Sequence, residues 1–416
     1  MNILLIHQYF KEADVTGGAR FNEMTRIWQE QGHNITVIAG NLFGQALKKR
    51  KEYKNKFITK KNQNGIVVWR CYVSESYNKN FLGRLWGYFS FVFSGLIAGL
   101  FRVKGKYDIL LVTSPPLFVG IIGYVIFVFK RIPIIFEIRD LWPESAVETG
   151  VLKNKQIIRF AYWLEKFIYK KAKLINVLTP AFYKILNEQK SVPKNKLIEI
   201  PNAADFALSD DLLQKFDRDN FRKNNDFNGR FVVTYVGAHG VANGLDQVLD
   251  TAALLKDTNV LFVLVGTGMQ KTHLMKKAEE MKLTNIRFYD PVPKREVLKY
   301  IIASDMGTSV LLKNDTFKTV YSNKTFDYMS CKKPILMAID GVSRELVESA
   351  DAGIFVEPEN PIDFAEKVRY YISHPKLVIT QGENGYQYAK ANFDRKLLAE
   401  KYLSYLTKLI NETSKK

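Results

Sequence analysis

Asn2-Ile3-Leu4-Leu5-Ile6-His7 and, a helix length later, Ile35-Thr36-Val37-Ile38-Ala39 decide the fold class. Each is a short apolar run bounded by polar residues, the pattern of a strand buried on both faces. Between them, residues 9–20 read as a loop carrying Gly17-Gly18, and residues 21–31 have helical spacing up to Gly32. Strand, loop, helix and strand form a βαβ unit, because parallel strands need such a crossover. The pattern returns at residues 109–113, 134–138, 174–178 and 197–200. It restarts at 231–236, followed by a glycine loop, a helix over 245–255, and runs at 260–265, 286–289, 306–310 and 334–338. Residues 201–228 are polar and charge-rich with little periodicity, and read as a linker between two α/β domains. The last helix, from Arg395 to about residue 410, is expected to pack back across the domain boundary.

At 416 residues, with 47% apolar and 25% charged side chains, the chain has an ordinary globular composition and ample length for a core. Disordered, collagenous and coiled-coil classes are excluded. Cys71 and Cys331 are too few for a disulfide scaffold or a four-cysteine zinc site. No HExxH or CxxC occurs, and the N-terminus lacks the basic and long apolar regions of a signal peptide. A cytosolic, metal-independent protein is expected.

The charge is uneven. Lys and Arg number 61 against 42 Asp and Glu, a net +19, and residues 1–200 hold 31 basic and 14 acidic residues, or +17 of it. Such asymmetry points the first half toward a polyanion. Its densest run is Lys48-Lys49-Arg50-Lys51 through Lys60-Lys61. No nucleic-acid motif accompanies it, and the basic half is also the greasy half, so an anionic membrane is favoured over nucleic acid. Residues 85–101 are uncharged, contain Trp86, Tyr88 and Phe89, and are bracketed by Arg84, Arg102, Lys104 and Lys106. They suit a helix dipping into or lying on a membrane. Residues 117–129, shorter and equally apolar, read as a core helix.

In doubly wound sheets, ligands bind beyond the carboxyl ends of the strands. Gly17-Gly18 lies in the first such loop, where backbone N–H groups approach an anion closely. Arg139-Asp140-Leu141-Trp142-Pro143-Glu144 packs three charges beside an aromatic at another strand end. Gly237-Ala238-His239-Gly240 with Gly244, and Gly266-Thr267-Gly268, occupy the corresponding places in the second half. Lys271 stands where GxGxxG needs its last glycine, so the dinucleotide fingerprint is absent. Ser322 reads as a helix N-cap with Asn323 and Lys324 in the first turn. Lysine there opposes the helix dipole unless an anion is bound, and Asp327 lies on roughly the same face. A phosphate at Lys324 and a ribose at Asp327 would make a nucleotide cradle; a surface ion pair between the two is the plainer alternative. Asp217-Arg218-Asp219 falls in the linker, away from any strand end.

Together these residues resemble glycosyltransferase family 4, whose fold is GT-B: two Rossmann-like domains facing each other across a cleft. The similarity spans essentially the whole chain and is nearest to bacterial capsule, O-antigen and exopolysaccharide transferases, including the L-fucosamine-transferase type. It rests on Arg139-Asp140-Leu141-Trp142-Pro143-Glu144-Ser145-Ala146, Thr113-Ser114-Pro115-Pro116, Pro201-Asn202-Ala203-Ala204-Asp205, Val265-Gly266-Thr267-Gly268 and Ala303-Ser304-Asp305. The resemblance implies residues 1–203 as the acceptor domain, 204–228 as linker, 229–394 as the nucleotide-sugar domain and 395–416 as the returning helix. It implies a retaining, metal-independent hexosyl or N-acetylhexosaminyl transfer from a nucleotide sugar, UDP-linked, to a polyprenyl-diphosphate-linked sugar at the cytoplasmic face of the inner or plasma membrane. The donor is a substrate, and no cofactor is implied. Arg139 and Asp140 would be catalytic. Gly17, Gly18, Gly237, His239, Gly266, Gly268, Ser322, Asn323, Lys324 and Asp327 would hold the donor. The chain departs from the family pattern at Thr319, where the first EX7E glutamate is expected, at Asp327 in place of the second, and in the loop 237–244, which lacks the usual Arg and Lys. A GT-B nucleotide-sugar epimerase and a non-catalytic GT-B protein are the alternatives.

Overall fold

The computed structural model describes residues 1–12, 20–43, 48–78, 81–148 and 152–414. The described residues divide into two compact units: those up to Pro201 together with those from Leu398 onward, and Asn202–Leu397.

The first unit carries β1 (Asn2–Ile6), β2 (Asn34–Gly40), β3 (Leu42–Phe43), β4 (Lys48–Lys49), β5 (Ile58–Gln63), β6 (Ile66–Cys71), β7 (Ile109–Ser114), β8 (Ile134–Ile138), β9 (Leu174–Val177) and β10 (Leu197–Glu199). Eight of these form one sheet in the order β10-β9-β8-β7-β1-β2-β6-β5, and β3 pairs with β4 apart. All neighbours in the large sheet are parallel except β5, which turns back antiparallel on β6. The inner strands β1, β7 and β8 are buried on both faces, as covered parallel sheets require. Helices Phe81–Ile97, Val119–Lys130 and Lys155–Lys171 pack side by side on this unit. Glycines bring them close. A Cβ on Gly95 or Gly99 would lie 2.8 or 2.3 Å from the Ile122 or Ile126 side chain, and one on Gly120 would lie 2.1 Å from Ile168.

The second unit carries β11 (Phe231–Val236), β12 (Val260–Val265), β13 (Ile286–Tyr289), β14 (Met306–Val310), β15 (Ile335–Ala338) and β16 (Gly353–Phe355). Their order, β13-β12-β11-β14-β15-β16, is the doubly wound arrangement, parallel throughout. Strand order reverses between β11 and β14, and between β1 and β7 in the first unit. These switch points leave a crevice at the carboxyl ends of the strands.

The expected linker is corrected here. Residues 204–228 fold as helices Phe206–Lys215 and Arg218–Asn224 and join the second core through the buried Phe206, Leu212 and Phe227. Aromatics at irregular spacing concealed this, because both helices are short, 10 and 7 residues. Asp217 caps the second helix, accepting from the Asn220 N–H at 3.0 Å. Arg218 and Arg222 donate to Asp305 at 3.0 and 3.3 Å. Asp305 also accepts from the Val232 N–H, so Ala303-Ser304-Asp305 is the anchor that fixes these helices to β11. The chain enters the unit beside the place where it leaves it: Ala204 accepts from the Arg395 N–H and donates to Phe393 O. Beyond that exit, Leu398–Lys416 belongs to the first unit, where Trp28 Nε1 donates to Ala399 O at 2.9 Å.

Candidate active site

In the second unit the glycine loops interlock at the switch point. Gly237 N–H donates to Val265 O and His239 N–H to Thr267 O, both at 3.0 Å. A Cβ on Gly266 would fall 1.9 Å from Gly237 O, and one on Gly268 would fall 2.3 Å from His239 O. Both glycines are therefore required by the packing of one strand-end loop on the next. Lys271 seals the base of this pair, donating to Gly266 O, Tyr289 O and Asp290. His239 is wholly buried between the rings of Tyr235 and Phe288. Burial lowers its pKa to about 4, so the imidazole is neutral near pH 7.

Ser322 is the N-cap of the helix Asn323–Ser330, but its side chain makes no capping bond. Its Oγ donates to Ser309 Oγ at 3.4 Å and accepts from Lys324 Nζ at 3.3 Å. Lys324 is half-buried, with Nζ 4.8 Å from the centre of the Tyr235 ring and Cε beside Gly237. Burial pulls its pKa down to about 8, with Asp327 opposing the shift. The alternative of a Lys324–Asp327 ion pair is corrected: Asp327 pairs with Lys294 instead. Among the described residues no carboxylate lies within ion-pairing distance of Lys324. Gly237, His239, Gly266, Gly268, Ser322 and Lys324 are thus brought together, with Asn323 exposed at the helix entrance. Gly17 and Gly18 lie outside the described residues.

In the first unit Arg139 and Asp140 follow β8, next to the switch point. Arg139 N–H donates to Ser114 O at 3.0 Å. Asp140 accepts from Ser145 Oγ at 2.9 Å, and burial raises its pKa above the usual carboxylate value. Two residues that sequence reasoning missed join them. His7, buried after β1, meets Thr113 Oγ1 through Nδ1 at 3.1 Å. Its pKa is well lowered by burial and by the charge of Arg139. Lys11 is lowered to about 8, again by burial and then by Arg139. A third omission is the buried pair of Arg20 and Glu137, at 3.0 and 3.2 Å. Arg20 also donates to Ile200 O and Pro201 O, and Asn176 donates to Glu137. The signal for that pair was visible: a glutamate inside the apolar run 134–138 needs a partner when buried. Among the described residues, no group of three or more His, Cys, Asp or Glu side chains is placed to hold a metal ion.

Comparison with known proteins bears on both units. Residues 16–203 match the glycosyl transferase 4-like domain, and residues 217–388 match glycosyl transferases group 1. The chain is a glycosyltransferase of GT-B architecture. This glycosyltransferase is 20% identical over 411 residues to the putative colanic acid biosynthesis glycosyl transferase WcaI of Escherichia coli, covering 96% of this chain and 98% of the relative. It is 25% identical over 236 residues to the probable glycosyltransferase WbjE of Pseudomonas aeruginosa, a match spanning 56% of this chain and 58% of that one. Its fold is shared with Anabaena HepE, solved with UDP, at a TM-score of 0.72 and 18% identity over 98% of this chain and 100% of the other.

Proposed function

We propose that this glycosyltransferase moves a sugar, with retention, from a UDP-linked donor to a lipid-diphosphate-linked acceptor in bacterial surface polysaccharide assembly. The observation that carries the reading is Lys324, a half-buried cation without an ion-pairing carboxylate among the described residues, at a helix N-terminus beside the glycine loops. A diphosphate supplies the missing counter-charge there, and backbone N–H groups add to it. The name of the relative WcaI and the UDP held by HepE support the pathway and the donor. In this reading Asp327 meets the ribose, and Arg139 and Asp140 meet the reacting sugar or its acceptor. The bond from the sugar's anomeric carbon to the donor phosphate breaks. The acceptor oxygen bonds to the same face, and its proton passes to the departing phosphate. No metal is needed for these steps. The basic first half and residues 85–101 hold the enzyme peripherally at the cytoplasmic membrane surface. The helix Leu85–Arg102 has the length and composition to cross a membrane, but half of it is buried on the protein, which favours lying at the interface.

The test is thermal stabilisation by a panel of nucleotide sugars, followed by transfer from the best binder to a polyprenyl-diphosphate sugar in excess EDTA. Stabilisation by UDP-sugars and transfer without metal are expected. Stabilisation by none of the panel, or loss of transfer restored by Mg²⁺, overturns the donor or the metal-free reading respectively.

A further inference from the structure

The helix Lys155–Lys171 has an outer face that its place in the fold leaves uncovered. Its inner face is committed: Ala161, Leu164, Ile168 and Tyr169 are buried, and Ile168 fits against Gly120. Its outer face presents Phe160 at 42% and Trp163 at 58% exposure. These rings stack on each other at 5.7 Å, and Trp163 stacks on Phe167 at 5.5 Å. Phe167 meets Tyr124 of the neighbouring helix edge-on at 4.7 Å. Stacking holds the two exposed rings in place, so their exposure is built in. Arg159, Lys166 and Lys170 are exposed along the same face, and no acidic residue is.

The helix Phe81–Ile97, one helix further along the same layer, carries a second stripe. Leu82, Trp86, Phe89 and Phe93 recur at helical spacing and are all exposed. That stripe reaches the candidate acceptor site by two ring contacts. Phe89 lies 4.9 Å from Phe118, and Phe118 lies 5.3 Å from Trp142, in the loop that follows Arg139 and Asp140.

We infer that the helix Lys155–Lys171 is a second membrane-docking element, which together with the helix Phe81–Ile97 seats the first unit on an anionic lipid bilayer. Aromatic rings interleaved with Lys and Arg, without acidic residues, match an interface of apolar chains below anionic headgroups. A protein partner of ordinary composition would leave those cations unpaired. Two stripes from one helix layer give the docked unit a fixed orientation, which one helix alone would not. This rests on the acceptor being lipid-linked, as proposed above.

The test uses the full chain and flotation with vesicles of phosphatidylcholine alone or with 30 mol% phosphatidylglycerol, a composition set by the experimenter at roughly physiological anionic content. Wild type should bind the anionic vesicles and keep part of that binding at 1 M salt. The pair F160S/W163S should need about tenfold more lipid for half-binding, with an unchanged melting temperature. Trp86→Ser should have a separate, additive effect. Unchanged binding by F160S/W163S overturns the proposal, as does a wild-type dimer that this variant converts to monomer, since the face would then cover a second copy. Transfer to a short-chain, water-soluble acceptor separates the two readings. F160S/W163S should retain it at the wild-type rate. A wild type that binds vesicles but transfers to no acceptor defeats the proposed function and leaves the docking surface standing.

Discussion

At the scale of single residues, Lys324 is where charge and burial conflict most usefully. Its ammonium opposes the helix dipole and has its pKa lowered to about 8. Lys324→Ala should cut transfer by about 2 kcal/mol or more, as loss of one charge-stabilising group does. The fold should survive, because among the described residues the side chain makes a ring contact and one hydrogen bond. The sign of the pH effect follows from the lowered pKa: the cation that meets phosphate is present below about 8 and lost above it. Donor Kd should therefore rise toward about tenfold per pH unit above that point, and Lys324→Ala should flatten the profile. Titration of donor affinity between pH 6 and 10 reads both. Gly266 tests geometry instead of charge. A methyl there would collide with Gly237 O, so Gly266→Ala should cost about 1–3 kcal/mol and weaken donor binding. Calorimetric melting and donor titration should move together; a wild-type result in both would mean that the loops do not interlock. The glycine and serine positions were legible from the sequence as a candidate site. The partner of Asp327 was not, because Lys294 is 33 residues away and only the packing of two helices joins them.

At the scale of elements, the segment 204–228 shows how local reading misjudges short helices. Its charges are conspicuous and its apolar residues irregular, yet capping and a buried face settle it. Asp217, which in a DxD pattern invites a metal assignment, accepts from a backbone N–H at the start of Arg218–Asn224. Asp217→Ala should lower stability by about 1 kcal/mol and leave transfer unchanged. Denaturant melts and initial rates measured on the same sample check this; loss of rate without loss of stability would return Asp217 to the chemistry. Gly95 and Gly99, within residues 85–101, behave similarly. They mark the seam where Ile122 and Ile126 pack, a role that periodicity could not distinguish from membrane insertion.

At the scale of the whole molecule, the chain closes on itself through its last helix. Ala399, Tyr402 and Leu406 are wholly buried in the first unit, and Tyr402 stands edge-on to Trp28 at 5.7 Å. Each large apolar side chain withdrawn from such a site costs about 1.5–3 kcal/mol, and a domain has only about 5–15 kcal/mol to lose. A chain ending at Leu397 should therefore lose the order of the first unit, seen as rapid proteolysis within residues 1–201 under conditions where the full chain resists. Equal protease resistance would show that the helix is dispensable.

Hydrophobic period and turn chemistry by themselves determined β1, β2, β7–β15 and the division into two α/β halves, because a strand buried on both faces must be apolar throughout; they did not mark β3–β6 or β16. The same patterning placed Arg139, Asp140 and the glycine loops at strand ends, and Lys324 in the first turn of a helix. Tertiary structure alone decided what those residues touch. Lys294 meets Asp327, His7 and Lys11 gather beside Arg139, Glu137 closes on Arg20, and the aromatic ladder of Lys155–Lys171 remains exposed. Each of these depends on the distance between elements far apart in the chain. That distance is fixed by packing, and local spacing carries no record of it.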